Sequence, residues 1–269
     1  MSGHAGSVAL QEVGGFSLLR LFSRRWILAT LLVVAGMALT IRLGIWQLDR
    51  LEQRRTFNAR VQAQLSQPML ELTNATLGAG LTSDLASMEY RSVTVSGEYD
   101  FSRQVALRNQ AWENQPGVRL LTPLKIQGTE QYVLVDRGWV PGIDSDGQDW
   151  RQYDEPGIVQ VQGMIRASES KPDFGRRADP LPAPGDAPLS LWHFANVAAI
   201  AGQMPYDLLP VYVQQAPDPA WSSMPYRSLP ELELTEGPHM GYALQWFSFA
   251  AILAFGYPFF VSKRSSVKR

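Results

Sequence analysis

The stretch that decides the fold is MGYALQWFSFAAILAFGYPFFV, Met240 to Val261. It runs about 22 residues without a charge, past the ~18 above which a membrane span outweighs a buried core helix. Aromatic residues stand near both ends, Tyr242 and Trp246 at one, Tyr257, Phe259 and Phe260 at the other, as in interfacial belts. Lys263, Arg264, Lys268 and Arg269 follow it. Gly237-Pro238-His239 precedes it, with proline where a helix start tolerates a missing N–H.

A second stretch, WILATLLVVAGMALTIRLGIW from Trp26 to Trp46, is apolar except for Arg42, one turn from its end, where a guanidinium snorkels to the headgroups. Arg20, Arg24 and Arg25 before it invite comparison with a signal peptide, but the run is too long for one and no Ala-x-Ala site follows. Both stretches are therefore expected to be permanent spans. The basic residues after Val261, set against Glu231, Glu233 and Glu236 before the span, place the C-terminus in the cytoplasm. Two spans then put both tails on that side. The expected division is a cytoplasmic tail over 1–25, a transmembrane helix over 26–46, an extracytoplasmic domain over 47–239, a second transmembrane helix over 240–261 and a basic cytoplasmic tail over 262–269.

About 190 residues between the spans suffice for one domain of ordinary size. A net charge of −1 argues against a nucleic-acid partner. The absence of cysteine excludes disulfides, thiolate metal sites and covalent haem attachment. Residues 1–19 show no period and read as a disordered tail. Beyond the first span, Leu48, Leu51, Phe57, Val61 and Leu65 recur at helical spacing, so that helix continues to Gln67-Pro68. Residues 73–88 read as a loop. Alternation then predicts strands over 91–97, 104–109, 118–126, 131–140, 159–167 and 208–214, with a loop over 168–190, a short helix over 194–201 and a linker over 215–237. The fold class is two transmembrane helices flanking an α+β extracytoplasmic domain, mainly antiparallel strands in a sheet or partial barrel with one or two helices.

No Gly-x-Ser-x-Gly, no His-Glu-x-x-His and no phosphate-cradling glycine loop occurs, and no enzyme is expected. Asp144 to Asp149 resembles part of a calcium loop but lacks its terminal Glu, so a solvated turn is expected. Gly36, Thr40 and Gly44, four apart, form a small-residue ridge suited to close helix packing in lipid. Asp136-Arg137-Gly138-Trp139-Val140-Pro141 ends the strongest strand. Either Trp139 fills the core while Arg137 pairs with an acid, or the segment is a binding surface; the first reading is preferred.

The chain resembles the surfeit-locus (Surf/Shy) family of cytochrome oxidase assembly factors. The resemblance covers nearly all of residues 40–250. It rests on Leu43-Gly44-Ile45-Trp46-Gln47 with Arg50, on Tyr90 to Tyr99, on Arg108, Pro116-Gly117 and Leu121-Thr122-Pro123-Leu124, on Val133 to Pro141, and on His239 to Phe247. Glu52, Gln53 and Arg54 replace the aromatic and lysine usual past the first motif. Gly237-Pro238 stands where a polar residue is common.

The resemblance implies a membrane-bound, non-enzymatic factor in the biogenesis of a haem-copper (cytochrome c) oxidase. It would assist haem A delivery into subunit I, beside haem A synthase and other assembly factors, in a bacterial plasma membrane. The rival readings are a haem-free structural chaperone holding an oxidase subunit and, less favoured, a membrane-tethered envelope enzyme.

Within the resemblance, His239 is expected to ligate haem iron, transiently and non-covalently. Tyr242 and Trp246 share its helical face as an aromatic wall, and Arg42 and Arg50 serve as partners for the haem propionates. The competing reading makes His239 an interfacial anchor.

Overall fold

The computed structural model describes residues 21–142, 150–169, 179–180 and 187–266. The tail over 1–19 and the calcium-like turn over 144–149 lie outside the described residues, as does most of the 168–190 segment. The chain divides into two compact units, Met1–Asn58 with Leu234–Arg269, and Ala59–Glu233.

The first unit is a helix pair. Helix α1 spans Ile27–Leu65 and helix α4 spans His239–Ser266. Both are long and apolar enough to cross a membrane. Their outer faces expose Leu28, Leu32, Leu39, Ile252, Phe255 and Phe259, a surface suited to lipid rather than water. They run antiparallel. Trp26 packs edge-on against Phe260, Thr30 Oγ1 meets the Tyr257 hydroxyl at 2.7 Å, and Asn58 Nδ2 donates to the Thr235 carbonyl. On the part of α1 that belongs to this unit, the buried positions Thr30, Gly44, Leu51 and Asn58 are spaced by sevens or multiples of seven, the repeat of a left-handed supercoil. On α4 the buried positions are Ala243, Ala250 and Val261. The small-residue ridge works chiefly through one member: a Cβ on Gly44 would lie 2.6 Å from Phe247 Cε1, whereas one on Gly36 would make an ordinary 3.5 Å contact with Leu253. Glycine is what lets the Phe247 ring lie against the α1 backbone.

The second unit is built on eight strands: β1 Leu70–Leu72, β2 Ser92–Tyr99, β3 Val105–Trp112, β4 Gln115–Ile126, β5 Tyr132–Pro141, β6 Ile158–Ala167, β7 Leu191–Trp192 and β8 Leu208–Gln215. The order is β1-β2-β6-β8-β5-β4-β3-β7, and an added β2–β4 pairing closes β2, β6, β8, β5 and β4 into a partial barrel. Antiparallel pairs dominate; β1–β2, β5–β8 and β3–β7 are parallel. Closure occurs over Gly97↔Ile126 to Tyr99↔Leu124. At Gly97 a side chain would meet the Lys125 carbonyl, so the two strands close only on glycine.

Alternate residues of each strand fill the interior: Val93, Val95 and Tyr99 from β2, Val133 and Val135 from β5, Val211 and Val213 from β8. A second core lies on the other face, where Leu134, Leu121 and Tyr212 pack with Trp192, Val197 and Ile200. Strand β5 is buried on both faces, which is why it reads as an unbroken apolar run interrupted only by Asp136-Arg137.

Several local elements differ from expectation. Residues 73–88 hold helix α2, Asn74–Gly78, under a reciprocal capping box between Thr73 and Thr76, followed by two short 3-10 turns. Threonine replaces the Glu or Gln by which such a box is recognised. Strands β3 and β4 extend towards each other and turn over Glu113-Asn114, both in the left-handed region, at φ 48° and 64°. That hairpin lacks the Asn-Gly or Asp-Gly by which such turns announce themselves. The short helix, α3, is Val197–Ala201 rather than 194–201, because Asn196 caps it through Ala199 N–H and Phe194 and Ala195 are buried ahead of the cap. The linker over 215–237 includes a strap pinned to the sheet: Trp139 and Tyr226 exchange backbone hydrogen bonds at 2.9 and 2.8 Å.

Candidate functional site

Three constellations carry polar chemistry, two in the strand domain and one in the helix pair. In the strand domain, the side chain of Arg137 is fully buried. Its guanidinium donates to Gln104 Oε1 at 3.0 Å, to Glu155 Oε1 at 2.9 Å and to the Tyr153 carbonyl. It lies 5.1 Å and 5.0 Å from the ring centroids of Tyr99 and Phe101. The other oxygen of Glu155 accepts from Arg227 at 2.9 Å, and Arg227 stacks on Trp221. One carboxylate thus serves two guanidiniums. Burial pushes the Tyr99 hydroxyl well above the ordinary range for tyrosine, which keeps it neutral beside them.

A second pair joins β4 to β5, Arg119 to Asp136 at 2.7 Å, and Arg119 reaches on to Ser228. Trp139 is 2% exposed and stacks on Tyr226, which stacks in turn on Trp112. A side chain at Gly138 would collide with the Tyr226 carbonyl. Arg137-Gly138-Trp139 is therefore a packed and paired segment. Nothing in the sequence singled out Glu155 or Arg227, because their partners are distant along the chain.

In the helix pair, His239 is the first residue of α4 and is half-buried. Its Nδ1 lies 2.9 Å from Oε1 of Gln47 on α1. Gly237, in the left-handed region at φ 68°, reverses the chain just before the helix, and a Cβ there would stand 3.4 to 3.5 Å from His239 Cδ2 and Nε2. Gly237 makes the turn and adds no side chain of its own beside the Cδ2–Nε2 edge of the ring. Trp246 packs against Phe249 edge to face at 5.8 Å, and Tyr242 is 48% exposed. Arg50 stacks over Trp46 at 5.6 Å and donates to Gln53. Arg42 is exposed. At ~100° per residue, Arg50 stands about 60° round α1 from Gln47, and Arg42 about 140°.

The structure thus joins His239 to Gln47, a motif residue to which no role was attached. A signal existed, since Trp46-Gln47 sits where α1 leaves the apolar run, but it names no partner. Just ahead of His239 in the chain, Thr235 accepts at its carbonyl from Arg54 and Glu236 pairs with Arg55 at 2.9 Å. The third constellation, His193 Nδ1 to Asp179 at 2.5 Å, also carries two bonds from the His193 backbone N–H and fastens one chain segment to another. Among the described residues no three His, Cys, Asp or Glu converge to hold a metal ion.

A sequence model of the SURF1 family matches residues 34–251, well over half of the chain. A SURF1-like protein of Monosiga brevicollis is 28% identical over 79% of this chain and 80% of its own length. One from Rickettsia felis is 25% identical over 83% of this chain and 92% of its own. Surfeit locus protein 1 of Xenopus tropicalis is 24% identical over 60% of this chain and 53% of its own.

Proposed function

We propose a function from one premise: this chain belongs to the SURF1 family. Its work, in this reading, is to assist the assembly of a haem-copper (cytochrome c) oxidase by bringing haem A, as cargo, to subunit I. It acts in a bacterial plasma membrane, with both termini cytoplasmic and the strand domain outside. Haem A synthase and other assembly factors are its further partners.

The observation that supports the cargo reading is the presentation of His239. A half-buried imidazole at the start of an apolar helix has one nitrogen engaged by Gln47 and its other edge beside a glycine. That arrangement would suit an imidazole that donates a nitrogen lone pair to haem iron, and a single imidazole suffices for haem iron in other proteins. Tyr242 and Trp246 offer aromatic surface below it. Of the two arginines, Arg50 lies nearer round the helix and is the first choice for a propionate, with Arg42 the second.

The His239–Gln47 bond also favours a second reading. It ties α1 to α4, as an anchor would, and a haem-free chaperone needs nothing more of that histidine. Purification of His239→Ala in detergent with haem A supplied separates the two. The cargo reading expects an abundant, inserted protein whose Soret band is lost or shifted; an unchanged band leaves the anchor.

Topology is tested apart from cargo. Ser145→Cys should label with an impermeant reagent in intact cells and Ser266→Cys should not. The reverse pattern overturns the arrangement.

A further inference from the structure

We infer that Gln47 sets the tautomer of His239, holding the ring proton on Nδ1 so that Nε2 is the ligating nitrogen; the ligating part rests on the cargo reading above. The amide oxygen of Gln47 has lone pairs only, and it faces Nδ1 at 2.9 Å. A neutral ring bonded in this way must carry its proton on Nδ1, which leaves the Nε2 lone pair free. Two further features serve the same end. Gly237 places no side chain along the Cδ2–Nε2 edge, where a Cβ would stand within 3.5 Å. Gly44, one turn before Gln47, lets Phe247 pack onto α1, which fixes the spacing of the helices that carry the two partners.

The choice of residue carries information too. Histidine free in water favours its proton on Nε2, so the bond works against the ring's own preference. An anchor would be equally served by either tautomer. A neutral amide orients the ring without adding charge, whereas a carboxylate in its place would make the imidazole a stronger donor to iron. Gln47 is therefore a positioning residue, acting on the cargo through His239.

The test uses the full chain in detergent with ¹⁵N-labelled histidine, first without haem. Only three histidines are present, so His239→Ala assigns the signal. The expected spectrum has the proton on Nδ1 of His239. Gln47→Leu should move it to Nε2, and Gln47→Glu should restore Nδ1. A wild-type ring protonated on Nε2 overturns the inference, since it means the amide donates to the ring instead.

In a second arm haem A is titrated into the same proteins. Gln47→Leu should weaken retention by roughly 10–100-fold, the usual cost of losing a partner of a ligand. Gln47→Glu should retain haem and shift its reduction potential to more negative values. If no protein retains haem while the tautomer shifts as expected, the cargo reading falls and the tautomer assignment stands.

Discussion

In the strand domain Arg137 is fully buried and Glu155 joins it to Arg227, whereas in the helix pair Arg55 and Glu236 meet with side chains 47% and 51% exposed. Both are arginine–carboxylate pairs, yet they do different work. A buried guanidinium left without its carboxylate is costly, so the domain's pair is bound to the integrity of the fold. An exposed pair contributes little and is free to vary. His239 falls between these extremes: half-buried, bonded through one nitrogen, and flanked by glycine on the other edge. The comparison teaches where to look for function. Arg137 and Trp139 are held by ion pairs and stacking, although Arg137 Nε, the Tyr99 hydroxyl and Trp139 Nε1 have no hydrogen-bond partner among the described residues, whereas His239 stands half-buried at the start of α4.

The largest expected effect lies at Trp139. Truncation to Ala removes a fully packed indole between Gly117 and Tyr226 and should cost about 3–5 kcal/mol. Chemical unfolding of the purified protein and its steady-state level in the membrane both report it. Unchanged stability with lost oxidase assembly would break the comparison, by making the sealed segment a binding surface. Glu155→Ala comes next. It strands two buried guanidiniums, and roughly 3 kcal/mol is expected, the low end for a broken buried pair because Glu155 keeps some solvent contact.

Smaller again is Gly44→Leu, which overpacks the α1–α4 seam against Phe247 and should cost roughly 1–3 kcal/mol. Its readout must belong to the helices. With ¹⁵N-labelled histidine, Gly44→Leu should shift the His239 ring signals, because Gln47, which bonds that ring, lies one turn further along α1. The unfolding transition of the strand domain should stay where it was.

How much of this was legible beforehand follows from which interactions are local. The spans are read from composition, and β2, β5, β6 and β8 from alternation or an apolar run, because burial of a face is written at every second residue. The ends of β3 and β4 were hidden by an atypical turn pair, Glu113-Asn114, and α2 by a capping box made of two threonines. Strands β1 and β7, of three and two residues, are shorter than any period. The site divides in the same way. Arg137 with an acid, and Trp139 in the core, were readable as residue types, but the acid itself, Glu155, comes from the irregular segment ahead of β6, 18 residues further on. His239 was singled out by position; Gln47 was not, because a sequence separation of 192 leaves no local trace of the contact.

The smallest predicted effect sharpens the comparison most. Arg55 grips Glu236 with two bonds of 2.9 Å, and hydrogen bonding from that guanidinium holds the Glu236 carboxyl below its ordinary value. Its folded pKa is thus lower than its unfolded one, so the pair's contribution is complete above the unfolded value and disappears as pH falls through the folded value. Glu236→Gln should therefore differ slightly from wild type in unfolding at neutral pH and converge with it in acid, below the ordinary carboxylate range. High salt should erase the difference at neutral pH as well, since both partners face water. Glu155→Gln, measured side by side, should keep most of its deficit in high salt, because its guanidinium partners are buried beyond the reach of screening ions. Equal salt sensitivity of the two variants would mean that the domain's network is open to solvent, and the contrast between the two regions would fail at its root.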